Sequence, residues 1–298
     1  GGAGNDRLSA SLSSRDNLFV GGPGDDALQG SGGTDTYRFD WGDGQDRITE
    51  TQAGAGGGSD VLEFGAGIAP ADIRVTRNLN DLILTHANGT DAVTVGNWLA
   101  RNATGSDTAT RIETVRFADG TVWTSATLTA AARVTTGTAA RDLLTGSDMD
   151  DQLFGLAGDD RLQGGQGRNL LDGGDGDDLL IADDGRFTVF TFPASLVDDW
   201  ASNTLVGGAG NDTLWATALA RDTVMEGGPG QDTLLGSAYN DTYRFAPGDG
   251  RDTLTEVAPA AGRQDTLLWG GGITPADIRL QRVGNDLVLG HAMGQDQI

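Results

Sequence analysis

An acid or amide recurs every nine residues across 137–181, at Asp142, Asp151, Asp160, Asn169 and Asp178. Two residues after each stands a leucine: Leu144, Leu153, Leu162, Leu171 and Leu180. The five units read GTAARDLLT, GSDMDDQLF, GLAGDDRLQ, GGQGRNLLD and GGDGDDLLI. Glycine at positions one, two and four admits positive backbone torsions and close approach of carbonyls, so six residues can curl into a loop with its oxygens turned inward. Aspartate at position six adds a short carboxylate to that cage. Carbonyl and carboxylate oxygens together are the donor set of a hard divalent cation.

Composition narrows the chemistry. The 298 residues include 43 acids against 20 basic residues, a formal net charge of -23, and no cysteine. A disulfide framework, a thiol nucleophile and a cysteine zinc site are therefore excluded, and two histidines (His86, His291) are too few for a histidine-built centre. Every basic residue is arginine, so lysine Schiff-base and phosphate-loop chemistry are absent. The charge disfavours nucleic acid and anionic membrane as partners, and no apolar run approaches the roughly 20 residues of a membrane span. The partner such a chain demands is a cation.

The elements that would position these loops follow from the same nine residues. Positions seven to nine form a short extended segment whose middle residue points inward while its neighbours face out. Two nonapeptides then make one flattened coil, with a thin apolar core and a row of loops along each edge. A single coil cannot bury its own core, so several must stack. The unit recurs with looser spacing across 1–49 as GGAGNDRLS, SLSSRDNLF, GGPGDDALQ, GSGGTDTYR and WGDGQDRIT, and a third array spans 207–255. Residues 1–50 match 207–256 at 29 of 50 positions without a gap, so a period of about 205 residues overlies the short one. Between the arrays, alternation in IRVTR, DLILTHA, DAVTV and ETVRF, with Asn-Gly at Asn88 and Asp-Gly at Asp119, predicts antiparallel hairpins. The expected organisation is six segments: 1–50, 51–133, 134–181, 182–206, 207–256 and 257–298. Both ends fall inside a repeat, as if cut from a longer protein.

The nonapeptides resemble the haemolysin-type calcium-binding repeats of RTX proteins, whose consensus is GGxGxDxUx. GGAGND (1–6), GGPGDD (21–26), GGDGDD (173–178), GGAGND (207–212) and GGPGQD (227–232) match it best. The spelling DTYRF, GDGQD, GIAPADI, NDLIL, GTDAVTVGNW and RIETVRFADGTVW resembles the haemolysin-type calcium-binding-related domain found beside such repeats. These resemblances imply an all-β chain in which right-handed parallel β-rolls alternate with antiparallel hairpin domains, with calcium ions shared between loops two repeats apart. The metal ligands they imply are Gly2, Gly4, Asp6, Gly22, Gly24, Asp26, Asp35, Asp46, Asp151, Gly158, Asp160, Gly174, Gly176, Asp178, Gly208, Gly210, Asp212, Gly228, Gly230, Asp232, Asp241 and Asp252. The favoured pairs are Asp6 with Asp26, Asp26 with Asp46, Asp160 with Asp178, Asp212 with Asp232, and Asp232 with Asp252. The opposite edge, with SLSSRD, GSGGTD, GSDMDD, GGQGRN, TALARD and GSAYND, has lost most of its glycines.

Other residues invite competing readings. Arg15, Arg141 and Arg221 each precede an aspartate in a glycine-poor loop, where a guanidinium could replace the cation or simply be solvated. His86 and His291 fall at equivalent hairpin turns and read as surface residues. No HExxH, GxSxG or phosphate-loop motif occurs, and the chain reads as non-enzymatic. The segment 182–203 matches nothing familiar; Asp183, Asp184, Asp198 and Asp199 there leave a carboxylate dyad conceivable, as Trp98, Trp123, Trp200 and Trp215 leave a sugar-stacking surface conceivable.

The expectation for function is a calcium-binding segment of a large secreted or cell-surface bacterial protein, folding on extracellular calcium and serving a structural, fibrous or adhesive role. Neighbouring copies in a fibre or surface layer would be its partners, and the resemblance implies type I secretion. The alternative is a C-terminal folding and secretion module of an extracellular hydrolase or toxin.

Overall fold

The computed structural model describes residues 1–10, 15–50, 58–101, 110–182, 202–217, 220–256, 263–291 and 296–298. The chain forms two compact units, one closing at Arg133 and one running over Val134–Ile298.

In the second unit the nine-residue logic produces two parallel sheets. One has seven strands, in the order Val134–Thr136, Gln152–Ala157, Leu170–Asp175, Ser202–Ala209, Arg221–Glu226, Thr242–Phe245 and Thr266–Trp269. The other has six: Leu143–Thr145, Arg161–Gln163, Leu179–Ile181, Thr213–Trp215, Thr233–Leu235 and Thr253–Thr255. Consecutive nonapeptides alternate between the sheets, so each coil spans two repeats. Every neighbouring pair of strands in both sheets is parallel. The apolar centre of each nonapeptide lies between the sheets, with Leu153, Leu162, Leu171, Leu180, Leu205, Leu214, Met225 and Leu234 fully buried. Each such side chain contributes roughly 2 kcal/mol of apolar burial, and none could do so without the coils above and below.

The first unit begins as the same roll and ends differently. Strands Arg7–Ser9, Ala27–Gln29, Gln45–Thr49 and Ala92–Val95 pair in parallel, and the sheet continues antiparallel through Asp81–His86 to Ile73–Asn78. The other sheet runs Asn17–Val20, Asp35–Phe39, Val61–Phe64, Thr114–Arg116 and Val122–Thr124, antiparallel only in its last pair. The two Gly-containing turns lie where the alternation puts them, between antiparallel strands, with Gly89 at φ 76° and Gly120 at φ 91°. The hairpin region thus extends both sheets of the roll. One element is unforeseen: an α-helix over Ser125–Ala132, whose N-terminus is capped by Thr124 Oγ1 accepting the Thr127 N–H at 3.2 Å.

The pairing register corrects two loops. Asn17 lies opposite Asp35 and Phe19 opposite Tyr37, so Asn17 and not Asp16 occupies position six. Burial agrees, since Phe19 is 4% exposed and Leu18 66%. In the second unit Val224 lies opposite Thr242 and Met225 opposite Tyr243, which places Thr223 and not Asp222 at position six. Both loops contain an acid immediately before a short polar residue, and a one-residue slip exchanges the two faces of a strand. The buried Phe19 and Met225 decide it.

Candidate metal centres

Along one edge of each unit the position-six aspartates form a ladder. One carboxylate oxygen, Oδ1, accepts the backbone N–H of the position-six residue one coil earlier. In the first unit Asp26 accepts from Asp6 at 2.7 Å and Asp46 from Asp26 at 3.0 Å. In the second, Asp160 accepts from Asp142 (2.7 Å), Asp178 from Asp160 (2.7 Å), Asp212 from Asp178 (2.8 Å), Asp232 from Asp212 (2.8 Å) and Asp252 from Asp232 (3.0 Å). All five pairs expected from the spacing are joined in this way. Two steps escaped the sequence reading: Asp142 to Asp160, whose first loop lacks glycine at positions two and four, and Asp178 to Asp212, because 34 residues separate the two instead of 18 or 20.

The second oxygen is the informative one. Oδ2 of Asp26, Asp160, Asp178, Asp212 and Asp232 is buried and accepts no hydrogen bond among the described residues. An orphaned carboxylate oxygen in a low-dielectric setting costs several kcal/mol unless a positive partner faces it. The backbone around it is arranged to leave that place open. Gly22, Gly174, Gly208 and Gly228, at position two, adopt φ of 96°, 101°, 109° and 94°, which turns their N–H groups away from the carboxylate. The position-two N–H of Gly2 and of Gly208 instead reaches the position-one carbonyl of the next coil, Gly21 and Gly227, each at 3.0 Å.

Position four packs the loops against one another. A Cβ at Gly176 would meet the Gly158 carbonyl oxygen at 2.3 Å, and one at Gly210 would meet that of Gly176 at 1.9 Å. Gly4 (φ 111°), Gly24 (145°), Gly158 (109°), Gly176 (134°) and Gly210 (146°) share the left-handed conformation there. Gly230 does not, though a Cβ on it would still strike the Gly210 carbonyl oxygen at 1.6 Å. The carbonyl stack, the acid row and the orphaned oxygens fit a hard divalent cation.

Electrostatics point the same way. Burial first, and then the carboxylates of neighbouring coils, push Asp212 and Asp252 up to about 7 and Asp178 up to about 6. Asp232 is pushed up to about 6 by burial first and by Asp249, and in the first unit Asp46 rises to about 7 by burial and its neighbours Asp26 and Asp43. The N–H donated along the ladder offsets only part of this. A row of carboxylates that resist ionisation is a row that a divalent cation would stabilise.

Leu156 shows the geometry being imposed. It stands at position two of GLAGDD, where the other metal-type turns have glycine, and still adopts φ 84°. A branched side chain in that region costs about 1–2 kcal/mol, offset by the greater freedom glycine would have in the unfolded chain. The Leu156 side chain is half exposed and gives up little burial. Leu156→Gly is therefore expected to raise stability by about 0.5–1 kcal/mol in calcium; an unchanged or lowered melting temperature would count against the strain.

On the opposite edge serine donors meet the second carboxylate oxygen. Asp35 accepts at Oδ1 from the Asn17 N–H (3.0 Å) and side-chain amide (2.7 Å), and at Oδ2 from the Ser31 N–H (2.7 Å) and hydroxyl (3.0 Å). Oδ2 of Asp151 accepts from the Ser147 N–H (2.6 Å) and hydroxyl (2.8 Å), and Oδ2 of Asp241 from the Ser237 N–H (2.7 Å). With serine at position two the N–H faces the carboxylate. Asp142, at the start of the metal-type edge, is held likewise by the Thr138 N–H (2.6 Å) and hydroxyl (2.9 Å), while Arg141 is exposed. Threonine, not the guanidinium, satisfies that carboxylate, and Asp16 and Asp222 are not at position six. The arginine-for-cation reading fails at Arg15 and Arg141; the side chain of Arg221 lies outside the described residues.

Asp35 and Asp241, named from the sequence, each join two acids the sequence reading missed: Glu50 and Asp60 with the first, Glu256 and Asp265 with the second, the oxygens of each group lying within 4.8 Å of one another. Tyr37 donates its hydroxyl to Glu50, and Tyr243 to Glu256. Tyrosine and glutamate recur at both positions of the long repeat, and that was the available signal. His86 and His291 are buried, not surface residues: His86 packs edge-on to Trp41 at 4.6 Å and accepts the Asn88 N–H at Nδ1, and His291 Nε2 lies 2.9 Å from Asp296. Trp98 is also fully buried, with its indole N–H on Thr129, so it presents no stacking face. Asp183, Asp184, Asp198, Asp199 and Trp200, with most of the 182–203 segment, lie outside the described residues.

Comparison with known proteins accords with this geometry. The family model of the RTX calcium-binding nonapeptide repeat (4 copies) matches residues 13–46, 136–171, 154–186, 199–218 and 226–242. That of the haemolysin-type calcium-binding-protein-related domain matches 81–127. No curated protein matches. Among solved structures, the extracellular lipase LipA from Serratia marcescens aligns with 96% of this chain and 36% of its own, at 18% identity and a TM-score of 0.28. This chain thus spans about a third of that lipase's length. Nonapeptide spelling, stacked parallel coils and orphaned aspartate oxygens converge: the chain carries RTX calcium-binding nonapeptide repeats together with a haemolysin-type calcium-binding-related domain.

Proposed function

We propose that this chain is a calcium-folded, non-catalytic segment of a large secreted or cell-surface bacterial protein, in which it serves as a structural, fibrous or adhesive body. The observation that carries the reading is the row of buried Oδ2 atoms at Asp160, Asp178, Asp212 and Asp232 without a hydrogen-bond partner. Calcium, when bound, supplies the positive charge that these oxygens lack. The residues that would hold it are the position-six aspartates of the metal-type edge with the loop carbonyls around Gly2, Gly4, Gly22, Gly24, Gly158, Gly174, Gly176, Gly208, Gly210, Gly228 and Gly230.

The chain's part is to gather those oxygens. Glycine torsions turn N–H groups aside, the ladder fixes one oxygen of each carboxylate, and the leucine core holds the coils in register. At low cytosolic calcium an acid row of this kind repels itself, which suits an unfolded chain awaiting export; millimolar extracellular calcium removes the repulsion. Type I export is part of this proposal. The period of about 205 residues favours a fibrous or adhesive parent, since repetition builds length more readily than it builds one catalytic centre. Among the described residues no helix is long and apolar enough to cross a membrane.

Far-ultraviolet circular dichroism during a calcium titration from a chelated start, with magnesium as control, tests the reading. The expected result is a cooperative gain of β signal with calcium alone. The same spectrum in chelator and in calcium would overturn it.

A further inference from the structure

Turn 164–169 spells GGQGRN, the metal-type sequence in every position but the last. Its backbone is of the metal type as well, with Gly165 at φ 81° and Gly167 at φ 89°. Asn169 occupies position six and is buried, and its Oδ1 takes the usual ladder hydrogen bond, from the Asp151 N–H at 2.9 Å. The difference lies at the other atom. Where the aspartates of the metal-type edge have an orphaned Oδ2, Asn169 has an NH2 group. That nitrogen lies 3.4 Å from the Gly165 carbonyl oxygen, 3.3 Å from that of Gln166, 3.2 Å from that of Gly167 and 3.5 Å from that of Ala182. Four carbonyl oxygens therefore converge on one donor group carrying partial positive charge.

We propose that the Asn169 amide takes the place of a calcium ion in turn 164–169, so that this turn is held without metal. The inference rests on the calcium-binding reading of the other edge. The neighbouring turns of this edge also differ from those of the metal-type edge. The carboxylates of Asp151 and Asp241 receive the Ser147 and Ser237 N–H groups, and the position-six places between them are neutral, at Asn169, Asn203 and Thr223. Turn 164–169 thus supplies its own donor where the turns of the metal-type edge leave an oxygen open. The amide shares its two N–H hydrogens among these carbonyls and is not lost when calcium falls, so this turn retains its local hydrogen bonds in conditions that strip the metal-type edge.

The change of one atom in Asn169→Asp restores the full GGxGxD spelling and removes the donor. The test is the number of calcium ions bound per chain, by equilibrium dialysis, for the wild type and Asn169→Asp, with the fold of each confirmed by circular dichroism in saturating calcium. The expected result is one additional ion in Asn169→Asp. An unchanged count in a folded variant would overturn the proposal. A wild type that binds no calcium would instead overturn the reading of the metal-type edge. Should Asn169→Asp fail to fold, terbium-soaked crystals of the wild type decide the matter: anomalous peaks beside Asp160, Asp178 and Asp212 with none inside turn 164–169 support it, and a peak within that turn overturns it.

Discussion

In calcium-free buffer the second unit is expected to gain stability as pH falls from 7 to 5, the reverse of ordinary acid unfolding. The sign follows from the carboxylates of the metal-type edge. Asp178 and Asp232 titrate at about 6 and Asp212 and Asp252 at about 7 in the folded calcium-free chain, against 3.8 for an unperturbed aspartate. Between pH 4 and 7 the folded state therefore binds more protons than the unfolded one, and stability must decrease as pH rises through that window. Each pKa unit corresponds to about 1.4 kcal/mol, so one such group regains about 1–2 kcal/mol between pH 7 and 5. Burial is the first cause of each shift, but neighbouring carboxylates of the row are coupled and their contributions do not simply add; a total on the order of 4 kcal/mol is expected. With calcium bound the dependence inverts, because protons then compete with the ion. Far-ultraviolet circular dichroism of the chelated protein at pH 7, 6 and 5 measures it, as a β signal that grows toward pH 5. A signal that grows toward pH 7 would show that the acid row is not where the folding penalty lies.

The second large effect is steric. A Cβ placed on Gly208 would meet the Gly174 carbonyl oxygen at 1.9 Å and its carbon at 2.7 Å, both rigid backbone atoms, at a residue with φ 109°. Neither the torsion nor the contact can relax alone, because Gly208 is also joined by its N–H to the Gly227 carbonyl. Torsional strain and the forced separation of two coils each cost about 1–3 kcal/mol, so Gly208→Ala is expected to remove about 3–5 kcal/mol. Calcium affinity should fall with it, since the displaced carbonyls belong to the loops beside Asp178 and Asp212. Gly248→Ala is the control: its torsion is similar, φ 102°, but its Cβ would meet nothing within 4 Å. Equal losses in the two variants would assign the effect to torsion and remove the stacking argument.

How much of this could be read beforehand depends on where the period is strict. Across 137–181 the nine-residue spacing placed every buried leucine and the ladder step from Asp160 to Asp178, because one position per strand faces the core and the spacing leaves no freedom. Where spacing loosens, neighbouring residues of similar character compete. Asp16 and Asn17 are both short and polar, and only the burial of Phe19 chooses between them. The difference between the two edges was seen as a loss of glycines, whereas its physical basis is the direction of one N–H. Glycine with positive φ turns it from the carboxylate, and serine delivers it. The Asn169 substitution was visible, but its convergence on four carbonyls needed coordinates. The buried histidines were misjudged because turns are usually exposed, and here the sheet folds back over them.

The ladder crosses from Asp178 to Asp212 with the same 2.8 Å hydrogen bond that joins Asp212 to Asp232, and strand Leu170–Asp175 pairs with Ser202–Ala209 without a change of register. A coil that normally closes in 18 or 20 residues has here accepted 34. Its two neighbours register only that the strand arrives about 4.8 Å away and in phase. Loop closure adds little, about 0.6 kcal/mol for each doubling of length. Such a roll is a permissive chassis: foreign sequence that leaves strands Leu179–Ile181 and Ser202–Ala209 in phase could be spliced between Ala182 and Ser202, and lineages of this architecture can acquire insertions without re-evolving their cores.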